Sequence, residues 1–348
     1  MFKWIARWLN QSGATRAVTV PVATPLDVGA GNALAALDGI DIDIDILFYR
    51  WLAGHCGDDN TAGAGASDPA LTAAEALIID QLARLVESPQ SGADLVPRVP
   101  AVIPQLLRSL RDDSVSVAEL TRQLTQDVVL VAEAIREANS PYYRPATPVK
   151  TVEAAIMQLD QNGLRMLLAR VAFRPIIKSA SGRFAAMVAP HVWGQSEACA
   201  LAASMLAPQM GANPFEAYLA GLLHHVGLIV ALRLVDQIYT IATLPRSDQF
   251  CAALLPRAGL LSARIAALWE FPVTVSMAIE QAGQASLPAL AAPLAHVLAL
   301  AKRIAMLRML VDAGALAAND PRVLGGLGPD GAACFEQLRQ LRQLQQLQ

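Results

Sequence analysis

The chain has 348 residues, of which 54% are hydrophobic and only 16% are charged, and its net charge is −3. So apolar a composition excludes a disordered chain, and 27 basic against 30 acidic residues argue against nucleic-acid binding through bulk charge. Aromatic residues make up 5% of the chain, which disfavours an all-β sandwich. Composition therefore predicts an all-α protein.

The first ten residues have an amphipathic helical pattern. Phe2, Trp4 and Trp8 share one face of the helical wheel, and Lys3 and Arg7 lie on the other. Two tryptophans beside two cations are typical of a weak membrane-interface anchor. The alternative is that this helix docks on its own domain or on a partner. Because no secretory signal is visible, we expect a cytoplasmic protein.

Three carboxylates, Asp41, Asp43 and Asp45, alternate with isoleucines. In a strand they would share one face and could bind a metal ion. The segment runs on into an apolar, aromatic stretch, however, so a helix with a solvated acidic start is the favoured interpretation. Residues 54–68 are rich in Gly, Ala, Asp and Ser, which predicts a flexible loop.

Helix signals dominate the rest of the chain. Thr72 and Glu75 form a capping-box pattern ahead of an apolar run. Ser116 and Glu119 form a second one, and the helix that they predict ends at the turn signal beginning at Asn139. Further Ala/Leu-rich helices follow from residue 151 onward. The breaks between them are expected near Gly182, Pro190, Pro214, Pro245 and Pro272.

No stretch of the sequence predicts a membrane span. The most apolar ones, residues 218–235 and 286–301, are interrupted by His, Arg or Pro, which favours buried core helices. The four cysteines lie far apart and make no zinc-binding spacing, which predicts reduced, mostly buried thiols. Near the C-terminus, leucines recur every third residue from Leu338 to Leu347, which indicates a peripheral helix or a frayed tail.

Two motifs together resemble a known family. The first contains Asn139, Ser140 and Tyr142, and the second carries Gly221 and Gly227 around a pair of histidines. In this order they resemble the HDOD domain, a bacterial signalling module related to HD-type metal phosphohydrolases. The resemblance extends from near residue 95 to near residue 305.

The resemblance implies an all-α, multi-helical HDOD/HD-like fold with an N-terminal helical extension. The expected domains are an extension over residues 1–90, a helical subdomain over 91–180, an HD-like subdomain over 181–305 and a helical tail over 306–348. It also implies a role in bacterial signal transduction, since members of the family occur beside cyclic di-GMP machinery. A shared fold does not establish activity, so the site residues are considered directly.

HD hydrolases hold metal with an early His, a His-Asp doublet and a late Asp. The resemblance places the early His on Gln195, keeps His224, replaces the doublet's Asp by His225 and the late Asp by Lys302. One of four ligand positions is retained, and Lys cannot ligate while protonated. We therefore expect no metal, no cofactor and no catalysis. The positions assigned to this degenerate site are Trp193, Gln195, Ser196, His224, His225 and Lys302.

Two functions follow from these expectations. The favoured one is a non-catalytic regulator that binds a protein partner, in which Lys302 could attract a small anion, although a buried Lys more often pairs with a neighbouring acid. The alternative is a diverged metal-dependent phosphohydrolase or phosphodiesterase that uses a rearranged site of His191, His224 and His225.

Overall fold

The computed structural model shows an all-α chain, with no strand among the residues that it describes. Those residues are 44–55, 71–89, 95, 117–125, 128–139, 145, 147–178, 182–238, 243–283, 292–320, 323 and 327–346. The first helix, α1, covers residues 44–54. It is followed by α2 (Ala73–Glu87), α3 (Val117–Thr125), α4 (Val128–Ala138) and α5 (Val152–Lys178).

The remaining helices form most of the core. They are α6 (Arg183–Leu206), α7 (Pro214–Leu223), α8 (Val226–Ile238), α9 (Asp248–Leu268), α10 (Val273–Ala282), α11 (Pro293–Asp312) and α12 (Gly328–Gln346). Helix α6 packs against α7 and α11, α9 packs against both α8 and α10, and α2 packs on α9. The turn between α7 and α8 is thereby surrounded by helices.

One of the two predicted capping boxes is confirmed. The Thr72 hydroxyl accepts a hydrogen bond from the Glu75 amide at 3.2 Å, and the Glu75 carboxylate accepts one from the Thr72 amide at 2.9 Å. Ser116 lies outside the described residues. Within its own helix, the Glu119 carboxylate accepts a hydrogen bond from the Arg122 guanidinium at 2.7 Å.

The predicted helix end at Asn139 is confirmed, and its side chain has a structural role. Its amide donates to the Ile135 carbonyl at 2.8 Å and to the Val149 carbonyl at 2.7 Å, and it accepts from the Val149 amide at 2.7 Å. Asn139 therefore joins the end of α4 to the segment before α5. Ser140 and Tyr142, the other positions of this motif, lie outside the described residues.

Gly221 allows two helices of the core to approach closely. A Cβ atom at this position in α7 would lie 2.4 Å from the Ala200 Cα atom in α6, closer than two carbon atoms can pack. Gly227 has the same relation to α9. Both motif glycines, which lie on either side of the histidine pair, thus allow neighbouring helices to pack closely.

A carboxylate from another helix caps the start of α6. Gly182 has a positive φ of 103°, and the Asp236 side chain of α8 accepts hydrogen bonds from the Phe184 amide at 2.8 Å and the Ala185 amide at 3.0 Å. These amides belong to the first helical turn, which has no intrahelical acceptors. The break predicted at Gly182 is therefore a capped helix start.

Replacing this cap should weaken the fold measurably. We expect Asp236→Ala to lower the free energy of unfolding by about 1–2 kcal/mol, because two amides lose their acceptor. Asp236→Asn keeps one acceptor oxygen and should lose less. Urea denaturation of the two variants measures the difference, and equal losses would contradict the capping role.

The apolar stretch at residues 218–235 is part of the core. Two helical segments, Pro214–Ile238 and Asp248–Leu268, are long and apolar enough to cross a membrane by length and composition alone. The most apolar window of the first is 94% buried and that of the second is 44% buried. Core helices of soluble proteins pass the same test, so the segments are weak evidence for a span.

The prediction of reduced, buried cysteines is confirmed for the three that the structure describes. Cys199, Cys251 and Cys334 are buried free thiols. Burial raises the pKa of Cys251 to about 11 and that of Cys334 to about 12, so both remain protonated and unreactive at neutral pH. Cys56 lies outside the described residues.

The C-terminal leucine pattern forms a peripheral helix, α12, which packs on α11 and α6. Leu338 is buried and Leu341 is half-buried.

Helix α11 is continuous through residue 305, so the expected domain boundary at that residue lies inside a helix. The predicted loop at 54–68 begins too early, because residue 54 still belongs to α1. Residues 56–70 lie outside the described residues.

The N-terminal expectations cannot be compared with the fold. The amphipathic pattern carried by Phe2, Trp4 and Trp8 lies outside the described residues, as do Asp41 and Asp43. Asp45, the last of the three alternating carboxylates, is described and belongs to the candidate site.

Candidate functional site

A cavity of about 200 Å³ lies between α1 and the helices that surround the histidine pair. His224 and His225 form the turn that joins α7 to α8. The turn, α1 and α11 supply the polar part of the wall, and α9 and α10 supply mostly apolar residues. The wall residues that matter for chemistry are Asp45, Phe48, His224, His225, Cys251 and Lys302.

The structure brings together only some of the predicted positions. His224, His225 and Lys302 line the cavity. Trp193, Gln195 and Ser196 are buried in the middle of α6 and do not line it. The Gln195 amide is fully buried and has no hydrogen-bond partner among the described residues.

His224 is neutral, and its hydrogen bond indicates which ring nitrogen carries the proton. Its Nδ1 atom lies 2.7 Å from the Gly221 carbonyl oxygen, which can only accept, so Nδ1 is the donor. Burial, reinforced by the charge of Lys302, lowers the pKa of His224 to about 3, although the hydrogen bond to Gly221 opposes the shift. Nε2 therefore presents a lone pair and has no partner among the described residues.

His225 is covered by an aromatic ring from α1. The Phe48 ring stacks on it with 6.0 Å between centroids and 5° between planes. Burial, then the neighbouring His224 and Lys302, hold the pKa of His225 well below its usual value. The two imidazoles lie 4.0 Å apart between centroids, and protonating either would place a charge in this apolar environment.

Lys302 forms an ion pair with a residue 257 positions away. Its ammonium lies 2.6 Å from a carboxylate oxygen of Asp45, and the two side chains are 17% and 23% exposed. The sequence correctly predicts that Asp45 belongs to a helix, but the expectation of a solvated carboxylate is wrong. The carboxylate is mostly buried because Lys302 supplies the opposite charge there.

His191 belongs to an aromatic cluster with α1. Its ring lies 4.5 Å from that of His55 and 5.1 Å from that of Trp51, between centroids. Burial and the neighbouring His55 lower the pKa of His191. Within the described part of the chain, no three His, Cys, Asp or Glu side chains are grouped to hold a metal ion. The rearranged set of His191, His224 and His225 that the metal-dependent alternative would use is not assembled there.

The donor atoms around the cavity do not suit the divalent metal that HD hydrolases use. Mg²⁺ and Mn²⁺ prefer oxygen ligands with negative charge. The carboxylate of Asp45 at the wall is already paired with the Lys302 ammonium, and its neighbours His224 and His225 are neutral. An ion bound there would also be repelled by that ammonium.

The contribution of α1 is the part of the site that the sequence did not reveal. Ile44, Phe48 and Leu52, spaced four residues apart, are each only 1% exposed. The sequence predicts the helix itself, and this spacing marks the face that it buries. The position of α1 on the body depends on the pairing of Asp45 with Lys302. These residues lie far apart in sequence, so no local sequence pattern predicts their contact.

The ion pair should be energetically coupled, unlike a surface pair. In a double-mutant cycle with Asp45→Asn and Lys302→Met, we expect a coupling of about 1 kcal/mol or more, because each single variant leaves the other group mostly buried without its counter-charge. The exposed pair of Asp80 and Arg84, at 2.9 Å, is the matched control. Its coupling should not exceed about 0.5 kcal/mol.

Urea denaturation of the wild type, the single variants and the double variants gives both coupling energies. Equal coupling at the two pairs would contradict the claim that burial strengthens the interaction of Asp45 with Lys302.

Comparisons with known proteins identify the fold. The family model described as "HDOD domain" matches residues 96–285. The chain resembles an HDOD domain protein from Geobacter sulfurreducens, with a TM-score of 0.56 and 22% identity, over 77% of this chain and 97% of that one. It also resembles a "putative metal-dependent phosphohydrolase" from Shewanella amazonensis, with a TM-score of 0.53 and 18% identity, over 78% and 99%.

A third solved structure is similar to the same extent. It is a "putative signal transduction protein" from Marinobacter aquaeolei, with a TM-score of 0.53 and 21% identity, over 78% of this chain and 64% of that one. No curated protein matches the chain. At these identities, the solved structures indicate a shared all-α fold.

Proposed function

The chain belongs to the HDOD domain family, and from that membership we propose that it is a non-catalytic signal-transduction protein that acts by binding a protein partner. One observation carries the proposal. Lys302, at the position where the resemblance expects a metal-binding acid, lies in the cavity beside the histidine pair and is neutralised by Asp45. Where the resemblance expects a carboxylate that would bind a metal cation, this chain has a positively charged ammonium group.

The protonation states support the same proposal. General acid–base catalysis near neutral pH needs a group whose pKa lies close to the working pH. The pKa of His224 is lowered to about 3 and that of His225 is also far below its usual value, both chiefly by burial. Neither imidazole can donate a proton at neutral pH.

Metal analysis and a hydrolysis assay on the purified full chain test the proposal. We expect substoichiometric metal after incubation with Mn²⁺ or Mg²⁺, and no hydrolysis of bis(p-nitrophenyl) phosphate above the buffer rate. His224→Ala should change neither result. Stoichiometric metal together with an activity that His224→Ala abolishes would overturn the proposal.

The second candidate is a diverged metal-dependent phosphohydrolase. Its support is the buried lone pair on Nε2 of His224, a common metal-ligating atom, together with the phosphohydrolase name given to a protein of similar fold. The same assay decides between the two functions.

The setting of the proposed function follows from the sequence and the family. We expect a cytoplasmic protein, with cyclic di-GMP signalling as the pathway suggested by the family resemblance. A small anion is a weaker candidate ligand for the cavity than the sequence suggests, because Asp45 already offsets the charge of Lys302. A weak membrane contact through Phe2, Trp4 and Trp8 would be lost when residues 1–10 are deleted, as liposome sedimentation would detect.

A further inference from the structure

Helix α1 occupies the groove over the histidine pair as a bound ligand helix would. Three of its fully buried residues, Ile44, Phe48 and Leu52, have the i, i+4, i+8 spacing of an amphipathic helix laid into a hydrophobic groove, and Tyr49 and Ala53 are buried beside them. Phe48 covers His225. The helix precedes residues 96–285, the part of the chain that the family model matches.

Side chains of α1 make polar contacts with the body. These include the ion pair of Asp45 with Lys302 and a hydrogen bond from the Tyr49 hydroxyl to the Pro245 carbonyl at 3.2 Å. The Arg50 side chain pairs with Asp248 and donates to the Arg246 carbonyl at 3.3 Å. Since the inner backbone groups of a helix bond within the helix, a competing helix would have to replace these side-chain contacts and the buried apolar surface of α1.

The groove is also incompletely filled. The cavity of about 200 Å³ remains between α1 and the body, and Ile44, Asp45 and Phe48 form part of its wall. Unfilled apolar space reduces the packing energy that holds α1 in place. Another helix with similar buried side chains could therefore replace α1 with little loss of packing energy.

We propose that the groove over the histidine pair is a helix-binding site, and that α1 is an intramolecular occupant which a partner protein's helix displaces. The partner helix carries an acidic residue for Lys302, an aromatic residue three positions later for His225, and a second aromatic residue three positions after that for His191. Asp45, Phe48 and Trp51 have this spacing in α1. The inference rests on the proposed function and adds the chemistry of the partner and its regulation.

A synthetic peptide of residues 41–55 with a fluorescent label tests the site by anisotropy. The full chain with Asp45→Asn and Phe48→Ala has a weakened α1 and should bind the peptide at least about tenfold more tightly than wild type. In wild type the peptide competes with a tethered helix whose effective concentration is in the millimolar range. A peptide carrying the same two substitutions should bind neither protein.

The matched control is the full chain with Leu77→Ala, which shortens an exposed side chain on α2, away from the groove. It should bind the peptide as weakly as wild type does. Equal affinity of the weakened variant and wild type, or no binding by a weakened variant whose circular dichroism shows it folded, would overturn the inference.

Hydrogen exchange on the unaltered full chain covers the case in which the weakened variant does not fold. The amides of residues 44–54 should exchange through an opening that leaves those of α6 and α8 protected. If all three helices exchange only by global unfolding, α1 is a permanent core element and the inference fails. Metal binding and hydrolysis test the proposed function separately, so the inference can fail while that function stands.

Discussion

Lowering the pH from about 7 to about 5 should reduce the free energy of unfolding by about 2 kcal/mol or more through the buried histidines. His224 has a usual pKa of 6.5 in the unfolded chain and a pKa of about 3 in the folded one, mainly because it is buried. His225 is shifted in the same direction for the same reason. The His224 ring is therefore neutral in the folded protein at either pH.

The sign follows from which state binds more protons. Between pH 6.5 and 3 the unfolded chain protonates His224 and the folded chain does not, so each unit of pH costs about 1.4 kcal/mol for this group. The lowered pKa of His225 adds a loss of the same sign. The stabilisation is complete above the unfolded pKa and is lost as the pH falls towards the folded one. His191, whose pKa is also lowered, adds to the effect.

Urea denaturation at a series of pH values measures the slope. The double variant with His224→Gln and His225→Asn should have a shallower slope than wild type between pH about 7 and about 5. A double variant with an unchanged slope would show that the pair does not remain neutral in the folded state.

Local patterns were enough to predict most of the helices. The capping box at Thr72 and Glu75 and the helix end at Asn139 depend on residues close in sequence, and the structure confirms both. Residues 218–235 were correctly expected in the core, because interrupted apolar runs favour burial over a membrane span. Two details differ. The helix predicted after Ser116 is described as two helices, α3 and α4, and the break predicted near Pro190 is wrong, because Pro190 lies inside α6.

The residues of the site were harder to predict from the sequence than the helices, because the site depends on contacts between distant residues. The sequence indicated that His224, His225 and Lys302 belong together, and all three line one cavity. It did not indicate that Gln195 would be turned away from the cavity wall, or that Asp45 would come from the N-terminal extension to pair with Lys302. The low acid content of this region is thus partly offset by a carboxylate from outside the family domain.

Adding one methyl group at Gly227 should destabilise the protein by about 3 kcal/mol or more. A Cβ atom there would lie 2.1 Å from the Ala258 carbonyl oxygen and 2.7 Å from the Ser262 amide nitrogen, both backbone atoms of α9 that cannot rotate away. The hydrogen bond from the Gly227 amide to the Ser262 hydroxyl, 2.8 Å long, would be lost when the helices separate.

Gly194→Ala is the matched control, since Gly194 lies inside α6, next to Gln195, and a Cβ atom there meets nothing within 4 Å. This variant should be as stable as wild type or up to about 1 kcal/mol more stable, because alanine restricts the unfolded chain and favours the helix. Urea denaturation of both variants provides the comparison. If Gly227→Ala were as stable as Gly194→Ala, the close approach of α8 to α9 would not be what Gly227 provides. The histidine pair, two residues before it, would then need another explanation for its burial.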